Sequence, residues 1–422
     1  MTKTSQISQF YKLSIEERRA IVSAFIGEPL PFDSALPLQI ADHMIENVVG
    51  VYGLPFGIAT NFVVNGVERL VPMVVEEPSV VAAASFAAKL FRAGGGFSAQ
   101  ADNPLMIGQI QVLDIPDLNA ACDSVLSNKA LLLAAANRSA GSLVRRGGGA
   151  RDIEVRSFVD SPAGPMLVVH LLLDTVDAMG ANAINTALEA IAPDVERMTG
   201  GRVVLRILSN LSDRRRVQVS GRIPAAALGD SEESGRSVAR GVVEAWAFAH
   251  VDPYRAATHN KGLMNGVDAV VIATGNDWRA VEAGAHAFAA RSGSYTSLSR
   301  FWLDERGDLI AELDMPLAVG IVGGATKVHP LAQVALRILG VESARDLAMV
   351  IASVGLAQNF AALRALATDG IQKGHMRLHA RQMAIAAGAT PDEVEYVADT
   401  LRKDGEIRLE RAIEIVKALR GS

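Results

Sequence analysis

The alternation of hydrophobic and polar residues is clearest in the middle of the chain. Short aliphatic runs predict strands there, and two longer segments with helical spacing predict helices between them. The predicted strands cover residues 109–115, 153–159, 166–173 and 202–208, and the predicted helices cover residues 117–136 and 177–198. This β-α-β-β-α-β order is typical of the split βαβ, ferredoxin-like unit. The pattern therefore predicts a compact small domain over residues 108–211, inserted in a larger one.

Two apolar runs predict further elements outside the small domain. The run 269–273 is short and bounded by turn residues, which predicts a buried strand. The run 347–363 is longer but contains serine, glutamine and asparagine, which favours a buried helix over a membrane span. The expected fold class is α/β (α+β), with a large mixed domain formed by residues 1–107 and 212–374. A charged C-terminal helical flap is expected over residues 375–422.

The composition narrows the classes of function. The 422-residue chain exceeds a typical single core, and half of its residues are hydrophobic, as in a closely packed α/β enzyme. A net charge of −5 without a dominant basic cluster argues against nucleic acid and anionic membranes as partners. The single cysteine, Cys122, excludes an internal disulfide and a cysteine-rich metal site. Together with an N-terminus that has no apolar signal segment, it favours the cytoplasm.

A polar window around Lys261 is the strongest candidate for chemistry. Lys261 lies among small and polar residues, and Asp277 follows the apolar run that comes next. Loops at strand ends commonly carry functional groups. We therefore expect the two side chains to meet in a cleft, and the alternative is a salt bridge in a structural turn.

Two motifs lie where helices are expected to begin. Glu76 and Glu77 follow a predicted strand, and Pro78 is expected to open an Ala-rich helix, so that one glutamate is a general acid or, alternatively, a helix cap. The segment 177–182 combines glycine with a helix start, which suits a phosphate group or, alternatively, an ordinary capped helix. The sequence has no Gly-x-Gly-x-x-Gly after a strand, so a standard Rossmann site is unsupported.

Two further motifs are weaker. The glycine-rich segment 320–327 does not have the spacing of a phosphate loop and is expected to form a tight turn. His375 and His379 are four residues apart and could share a zinc ion, with odds of roughly one in ten because no third ligand is in view. A single catalytic His375 is the simpler interpretation, and no metal is expected.

Taken in order along the chain, these motifs resemble the class II, bacterial-type 3-hydroxy-3-methylglutaryl-CoA (HMG-CoA) reductases. The resemblance covers nearly the whole chain. It implies a large substrate domain, an inserted cofactor domain that is not a Rossmann fold, and sites built at dimer interfaces. The motifs are Glu46-Asn47-Val48-Val49-Gly50, VVEEPS ending at Ser79, GGGARD ending at Asp152, DAMGAN ending at Asn182, residues 252–266, ATGNDWR ending at Arg279, and Gly374-His375-Met376.

The resemblance also implies a reaction and roles for residues. The family converts HMG-CoA to mevalonate and CoA with two hydrides, through a hemithioacetal and an aldehyde. Lys261 is then the cation that stabilises negative charge on the carbonyl oxygen, held by Asp277, and Glu77 is the acid. His375 is expected to protonate the departing CoA thiolate. The residues expected to bind substrate or support this network are Ser79, Arg255, Asn265 and Asn210.

The resemblance favours NADPH over NADH. NAD-preferring members carry an acidic residue shortly after the Ala-Asn-Arg of the small domain, where it binds the ribose 2′-OH and repels a 2′-phosphate. No acidic residue occurs here between Arg138 and Gly147, and Arg145 is one of three cations nearby. The expected coenzyme contacts are Arg138, Ser139, Ala140, Arg146, Asp177, Met179, Gly180 and Asn182.

Two alternatives belong to other classes of function. One is a non-reductive CoA-thioester lyase that uses the same lysine and glutamate without a nicotinamide. The other is an assembly protein with a vestigial site, against which the intact Glu77, Lys261, Asp277 and His375 argue. The physiological direction, synthesis or breakdown of mevalonate, stays open.

Overall fold

The structure is a computed structural model that describes residues 4–32, 36–368 and 371–421, and only the backbone of residues 371–378. The part that precedes the inserted unit consists of a 3₁₀ helix (Phe10–Lys12), α1 (Ile15–Ile26), α2 (Leu38–Met44), β1 (Phe56–Val64), β2 (Val67–Val74), α3 (Val80–Ala93) and β3 (Phe97–Ala101). The inserted unit consists of β4 (Leu105–Leu113), α4 (Leu118–Ser127), α5 (Lys129–Ser139), α6 (Gly141–Val144), β5 (Gly149–Phe158), β6 (Met166–Asp174), α7 (Ala181–Thr199) and β7 (Arg202–Leu208).

The chain then returns to the large unit and ends in helices. The returning part consists of β8 (Arg216–Ile223), α8 (Ala225–Leu228), α9 (Glu232–Val251), α10 (Pro253–Ala273), α11 (Trp278–Ala289), β9 (Ser299–Leu303), β10 (Leu309–Pro316), α12 (Gly324–Val328), α13 (Pro330–Leu339) and α14 (Ala344–Ala367). The C-terminal helices are α15 (Ile371–Ala386), α16 (Val394–Asp404) and α17 (Leu409–Arg420).

Each sheet has its own hydrophobic core. The six-stranded sheet has the order β2-β1-β3-β8-β10-β9, and its core includes Phe62, Phe91 and Phe360. The four-stranded sheet has the order β5-β6-β4-β7, and its core includes Ile110 and Leu188. Helices α4 to α7 lie between its strands in the chain, which gives the split βαβ arrangement. The predicted fold class is therefore confirmed.

The inserted unit leaves and re-enters the large sheet at adjacent positions. Strands β3 and β8 pair antiparallel, and the pairing continues just beyond them. The amide of Asp102 donates to the carbonyl of Arg216 (2.9 Å), and the amide of Arg216 donates to the carboxylate of Asp102 (3.2 Å). The two connections are thus held side by side.

Residues 269–273 belong to helix α10, so the prediction of a strand there is wrong. Asp252 caps this helix by accepting from the amide of Arg255, and Pro253 occupies its first turn, where a missing N–H costs nothing. The last turns of α10 are buried against several neighbours, including α14, α9 and β2. A helix that is buried on most sides has apolar residues at nearly every position. Over only five residues, such a run does not distinguish the 3.6-residue period of a helix from the two-residue period of a strand.

Two helices begin later than the sequence predicts. Helix α3 begins at Val80, two residues beyond Pro78, and α7 begins at Ala181 rather than at Asp177. In both cases a polar loop lies between the strand and the first helical turn. These two loops carry the residues that the sequence assigns to catalysis and to coenzyme binding.

Helix α14 is long and apolar enough to cross a membrane by length and composition. Most of its apolar window (78%) is buried inside the protein, where it packs against α10, α3 and α9. The expectation of a buried helix in this part of the chain is confirmed.

Candidate active site

Lys261 and Glu77 meet in a direct ion pair. Nζ of Lys261 lies 2.9 Å from Oε2 of Glu77, and Nδ2 of Asn265 donates to the same oxygen over 3.4 Å. Lys261 and Asn265 are four residues apart on α10, so they face the same way. Glu77 reaches them from the loop between β2 and α3. The lysine side chain is 60% exposed, and the contact with Glu77 occupies one of its three N–H groups.

A buried polar network fixes the turn of α10 that precedes Lys261. Nε2 of His259 lies 2.8 Å from Oγ of Ser299, which donates to Oδ1 of Asn359 over 2.6 Å. Nδ2 of Asn359 in turn donates to the carbonyl of His259 over 3.0 Å. Burial, with a smaller contribution from Arg255, lowers the pKa of His259 to about 3, so this imidazole is neutral and structural. The network ties α10 to β9 and α14 and thereby fixes the direction of Lys261.

Ser79 has an unusual backbone at the start of α3. A helix N-cap is normally extended and its hydroxyl accepts from an amide of the first turn. Ser79 instead has φ of 79° and makes no side-chain capping hydrogen bond. A non-glycine residue in this region is uncommon and points to a functional constraint. The hydroxyl is therefore kept out of helix capping two residues after Glu77.

Asp277 lies at the other end of α10, away from Lys261. The amide of Asn276 donates to the carbonyl of Val271 (2.9 Å), so the chain stays at the last turn of α10. A helix rises ~1.5 Å per residue, which places Lys261 ~15 Å from that turn. Asp277 caps α11 and pairs with Arg279. The prediction that Asp277 holds Lys261 is wrong within one chain, because the residues between them form a helix and not a strand with a loop at each end.

The segment between β6 and α7 connects the two units. The carboxylate of Asp177 accepts from the amide of Ala344 at the start of α14 (2.9 Å). The amide of Ile321 donates to the carbonyl of Asp177 (2.9 Å). Gly180 has φ of 100°, and α7 begins after it without a side-chain cap, so its first amides have no side-chain acceptor from within this turn. Met179 is half-buried in this loop, and Asn182 is exposed in the first turn of α7.

The arginines expected near the coenzyme lie together on α5 and α6 and the turn that follows. Arg138, Arg145 and Arg146 are exposed, and so is Ser139. Ala140 is different: it is only 9% exposed and belongs to the core of the small sheet. Its side chain therefore cannot meet a coenzyme without moving. Ser142, two residues later, is exposed at the same surface.

The remaining predicted residues are less closely placed. Arg255 is half-buried in the first turn of α10, and burial lowers the pKa of its guanidinium below the ordinary value. Asn210 is exposed in the connection between β7 and β8 and packs its carbonyl against Gly284 of α11. His375 falls in α15, but its side chain lies outside the described part. Among the side chains described, no group of three or more His, Cys, Asp or Glu could hold a metal.

Sequence reasoning missed the polar residues that hold the site in place. His259 and Asn359 were not assigned a role, although polar residues inside the apolar run 347–363 signalled a buried partner. Asn276 and Arg215 were also missed. Both make hydrogen bonds to backbone groups of distant segments, and no local pattern reveals such contacts, although each also donates to a threonine hydroxyl.

Comparison with known proteins identifies the family. A family model described as hydroxymethylglutaryl-coenzyme A reductase matches residues 14–380, which is most of the chain. The chain belongs to the HMG-CoA reductase family. It is 52% identical to the HMG-CoA reductase of Archaeoglobus fulgidus, over 99% of this chain and 95% of that one. It is 35% identical to a probable HMG-CoA reductase of Borreliella burgdorferi, over 81% of this chain and 77% of that one.

Solved HMG-CoA reductases have the same fold. The enzyme of Streptococcus pneumoniae superposes with a TM-score of 0.83 at 43% identity, over 98% of this chain and 99% of that one. A second structure, the class II enzyme of that organism bound to NADPH in open conformations, gives 0.81 at 44% identity, over 97% and 100%. The predicted family and enzyme class are thus confirmed. The chain is an oxidoreductase that interconverts HMG-CoA and mevalonate, and a non-reductive lyase is not favoured.

Proposed function

We propose that Lys261, Glu77 and Asn265 form the part of the active site where the carbonyl group of the substrate reacts. The single observation that carries this proposal is the 2.9 Å contact between Nζ of Lys261 and Oε2 of Glu77. Each reduction builds negative charge on a carbonyl oxygen, and a fixed ammonium group stabilises that charge most strongly in the transition state. Glu77 lies within hydrogen-bond distance of the ammonium, so its carboxyl group, once protonated, can deliver that proton to the same oxygen without a movement of α10.

The substrate is proposed to lie across the start of α3. Its free carboxylate would accept from Oγ of Ser79 and from the guanidinium of Arg255, which keeps its charge at neutral pH despite the effect of burial. His375 would protonate the CoA thiolate. A thiol pKa near ~8.5 against ~6.5 for imidazole makes this transfer favourable near neutrality. Asn210 remains a proposed supporting residue.

NADPH is the proposed coenzyme, as in the pneumococcal class II structure. The residues present fit such a group. The first turn of α7 has no side-chain cap, which leaves amide groups for a phosphate, and Arg138 and Arg146 are exposed cations on the same unit. Bound NADPH would supply the hydrides. Asp177, Met179, Gly180, Asn182 and Ser139 would shape its pocket, and Ala140 would support it from the core. NADH remains possible as a weaker alternative.

A second copy of the chain is proposed to supply Asp277. Lys261 and Asp277 are too far apart in one chain, so a shared site needs Asp277 from a partner. The loop that follows α2 offers a surface for this partner: Val49 is fully exposed and Tyr52 is 87% exposed. Exposed apolar groups of this kind mark interaction surfaces. A homodimer would bury them and complete two sites.

The division of the chain stays part of the proposal. The small coenzyme domain was predicted over residues 108–211, the large substrate domain over residues 1–107 and 212–374, and the flap over residues 375–422. Strand β4 begins at Leu105, so the boundary belongs a few residues earlier than 108. We place the reaction in the cytoplasm, in the direction of mevalonate synthesis.

The test is a spectrophotometric assay of nicotinamide oxidation with HMG-CoA. NADPH and NADH are compared side by side, and mevalonate with the oxidised coenzymes measures the reverse reaction. Coenzyme oxidation that depends on HMG-CoA supports the proposal. CoA-thioester turnover without any coenzyme oxidation would instead indicate the lyase.

A further inference from the structure

Asn276 holds both backbone groups of one distant residue. Its Nδ2 donates to the carbonyl of Gly320 over 3.1 Å, and its Oδ1 accepts from the amide of Gly320 over 2.8 Å. Asn276 directly precedes Asp277, and Gly320 lies four residues beyond the end of β10. The side-chain amide thus makes the pair of hydrogen bonds that a residue of a neighbouring strand would make. It connects the segment after β10 to the start of α11.

Gly320 is in turn pressed against the proposed coenzyme loop. A Cβ on Gly320 would lie 2.5 Å from the amide nitrogen of Met179 and 3.0 Å from the carbonyl oxygen of Asp177, so no side chain fits there. The contact continues as a parallel bridge between Ala178 and Val322. Asn276, Gly320 and the 177–179 loop therefore form one continuous set of contacts.

Arg215 holds the same loop from the other side. Its Nη1 donates to Oγ1 of Thr175 (3.0 Å) and to the carbonyls of Ala178 and Met179 (3.2 Å each), while Nη2 donates to the carbonyl of Val319. The residue is 4% exposed. Burial lowers the pKa of the guanidinium to about 10, which still leaves it charged at neutral pH. A buried guanidinium that loses its hydrogen-bond partners destabilises the folded state. These bonds therefore specify the position of the loop.

The loop needs this support because its backbone is strained. Val176 has φ of 53°, which is rare for a β-branched residue and strains the backbone. A strained conformation persists only where its surroundings impose it. The bonds from Arg215 and the contact with Gly320 are such surroundings.

We infer that Asn276 and Arg215 are positioning residues that lock the 177–180 loop, and with it the coenzyme, in a fixed relation to Asp277. The inference rests on the proposed function, because it takes that loop as part of the coenzyme site. The 177–180 loop, Gly320 and Asn276, with the adjoining Asp277, then form one rigid block. A shift of ~1 Å between reacting groups can cost ~10²-fold in rate, so the lock matters even though neither residue touches the substrate.

The test is Asn276→Ala, studied with the full-length protein. We expect a higher KM for NADPH and a kcat ~10²-fold lower with both HMG-CoA and mevaldehyde, because both hydride steps use the displaced block. The KM for HMG-CoA should stay close to that of the wild type. Arg215→Lys should shift the same constants in the same direction, since one ammonium cannot serve all the acceptors of a guanidinium fork.

Asn65 offers a matched control. Its Nδ2 donates to the carbonyl of Ala99 (2.9 Å) and its Oδ1 accepts from the amide of Ala99 (2.8 Å), the same pattern in the large sheet. With φ of 50° at this position, Asn65→Ala also adds backbone strain and is at least as damaging to folding. We expect Asn65→Ala to lower Tm while leaving the coenzyme KM and kcat unchanged.

Two results would overturn the inference. One is an Asn276→Ala protein with wild-type coenzyme KM and kcat whose Tm falls as in Asn65→Ala, since Asn276 would then be merely structural. The other is an equal rise in KM for HMG-CoA and for NADPH. If Asn276→Ala does not fold, Asn276→Asp keeps the acceptor for the Gly320 amide and is measured in the same way. Failure of the proposed function itself is separate, because it would abolish coenzyme oxidation by the wild type.

Discussion

Replacing Lys261 with alanine separates its catalytic role from its structural one. The Lys261–Glu77 pair lies at the surface, with side chains 60% and 34% exposed. Exposed ion pairs contribute ~0–1 kcal/mol to the stability of the folded state. Lys261→Ala should therefore lower the free energy of unfolding by no more than about 1 kcal/mol. If the ammonium stabilises the developing oxyanion, the same substitution should lower kcat by ~10²–10³-fold, which corresponds to ~2.7–4 kcal/mol in the transition state.

The assay measures NADPH oxidation with HMG-CoA and with mevaldehyde, since both hydride steps place charge on an oxygen. Calorimetric titration with HMG-CoA should give a nearly unchanged Kd, because the stabilisation is greatest in the transition state. Lys129→Ala is the matched control. Lys129 pairs with Asp152 over 2.7 Å on the small unit, and both side chains are partly exposed (34% and 45%). It should cost as little stability as Lys261→Ala and keep wild-type turnover. Retention of more than about a tenth of wild-type turnover by Lys261→Ala would refute the oxyanion role.

Three further predictions follow from the site and its surroundings. His375→Gln should slow conversion of HMG-CoA far more than reduction of mevaldehyde, because only the thioester route expels CoA; equal losses on both substrates would contradict the role of thiolate donor. Wild type should prefer NADPH by roughly 1–3 kcal/mol in kcat/KM, and Ser142→Asp, at an exposed position, should shift the preference toward NADH; an unchanged ratio would place the 2′-phosphate elsewhere. Burial, reinforced by Glu282, raises the pKa of Asp268, so the folded state holds this proton more tightly than the unfolded state. Wild-type stability should therefore fall as pH rises from the unfolded pKa of 3.8 to the folded pKa of about 8, and Asp268→Asn should flatten Tm against pH across this window, an idea that an unaltered Tm profile would sink.

The sequence was most informative where the local period alone decides the structure. The strands of the small sheet alternate or form short aliphatic runs between clear turns, and β6 and β7 occur within one residue of the predicted bounds. The prediction of a strand over residues 269–273 failed because α10 is buried on most sides there, so its apolar residues do not show the helical period. The error carried over to the site, since the assumed strand brought Asp277 beside Lys261.

The starts of α3 and α7 could not be predicted for a different reason. Ser79 and Gly180 adopt left-handed backbones directly before these two helices. A Cβ on Gly180 would lie 2.2 Å from Cγ2 of Thr175, and the loop that contains both is fixed by Arg215. Local propensity favours an earlier helix start, and tertiary contacts override it. The motifs nominate residues for the chemistry, but they do not predict the mutual geometry of those residues.

The side-by-side connections at Asp102 and Arg216 have a consequence for how such a protein can arise and be altered. Because the two ends of the inserted unit are already paired, removing residues 103–215 would leave β3 and β8 in register with almost no gap to close. Loop closure over so short a span costs little entropy. The inserted unit can therefore be regarded as a cassette whose exchange between relatives would leave β3 and β8 paired, provided that the new unit keeps the contacts of the 177–179 loop with residues 320–322.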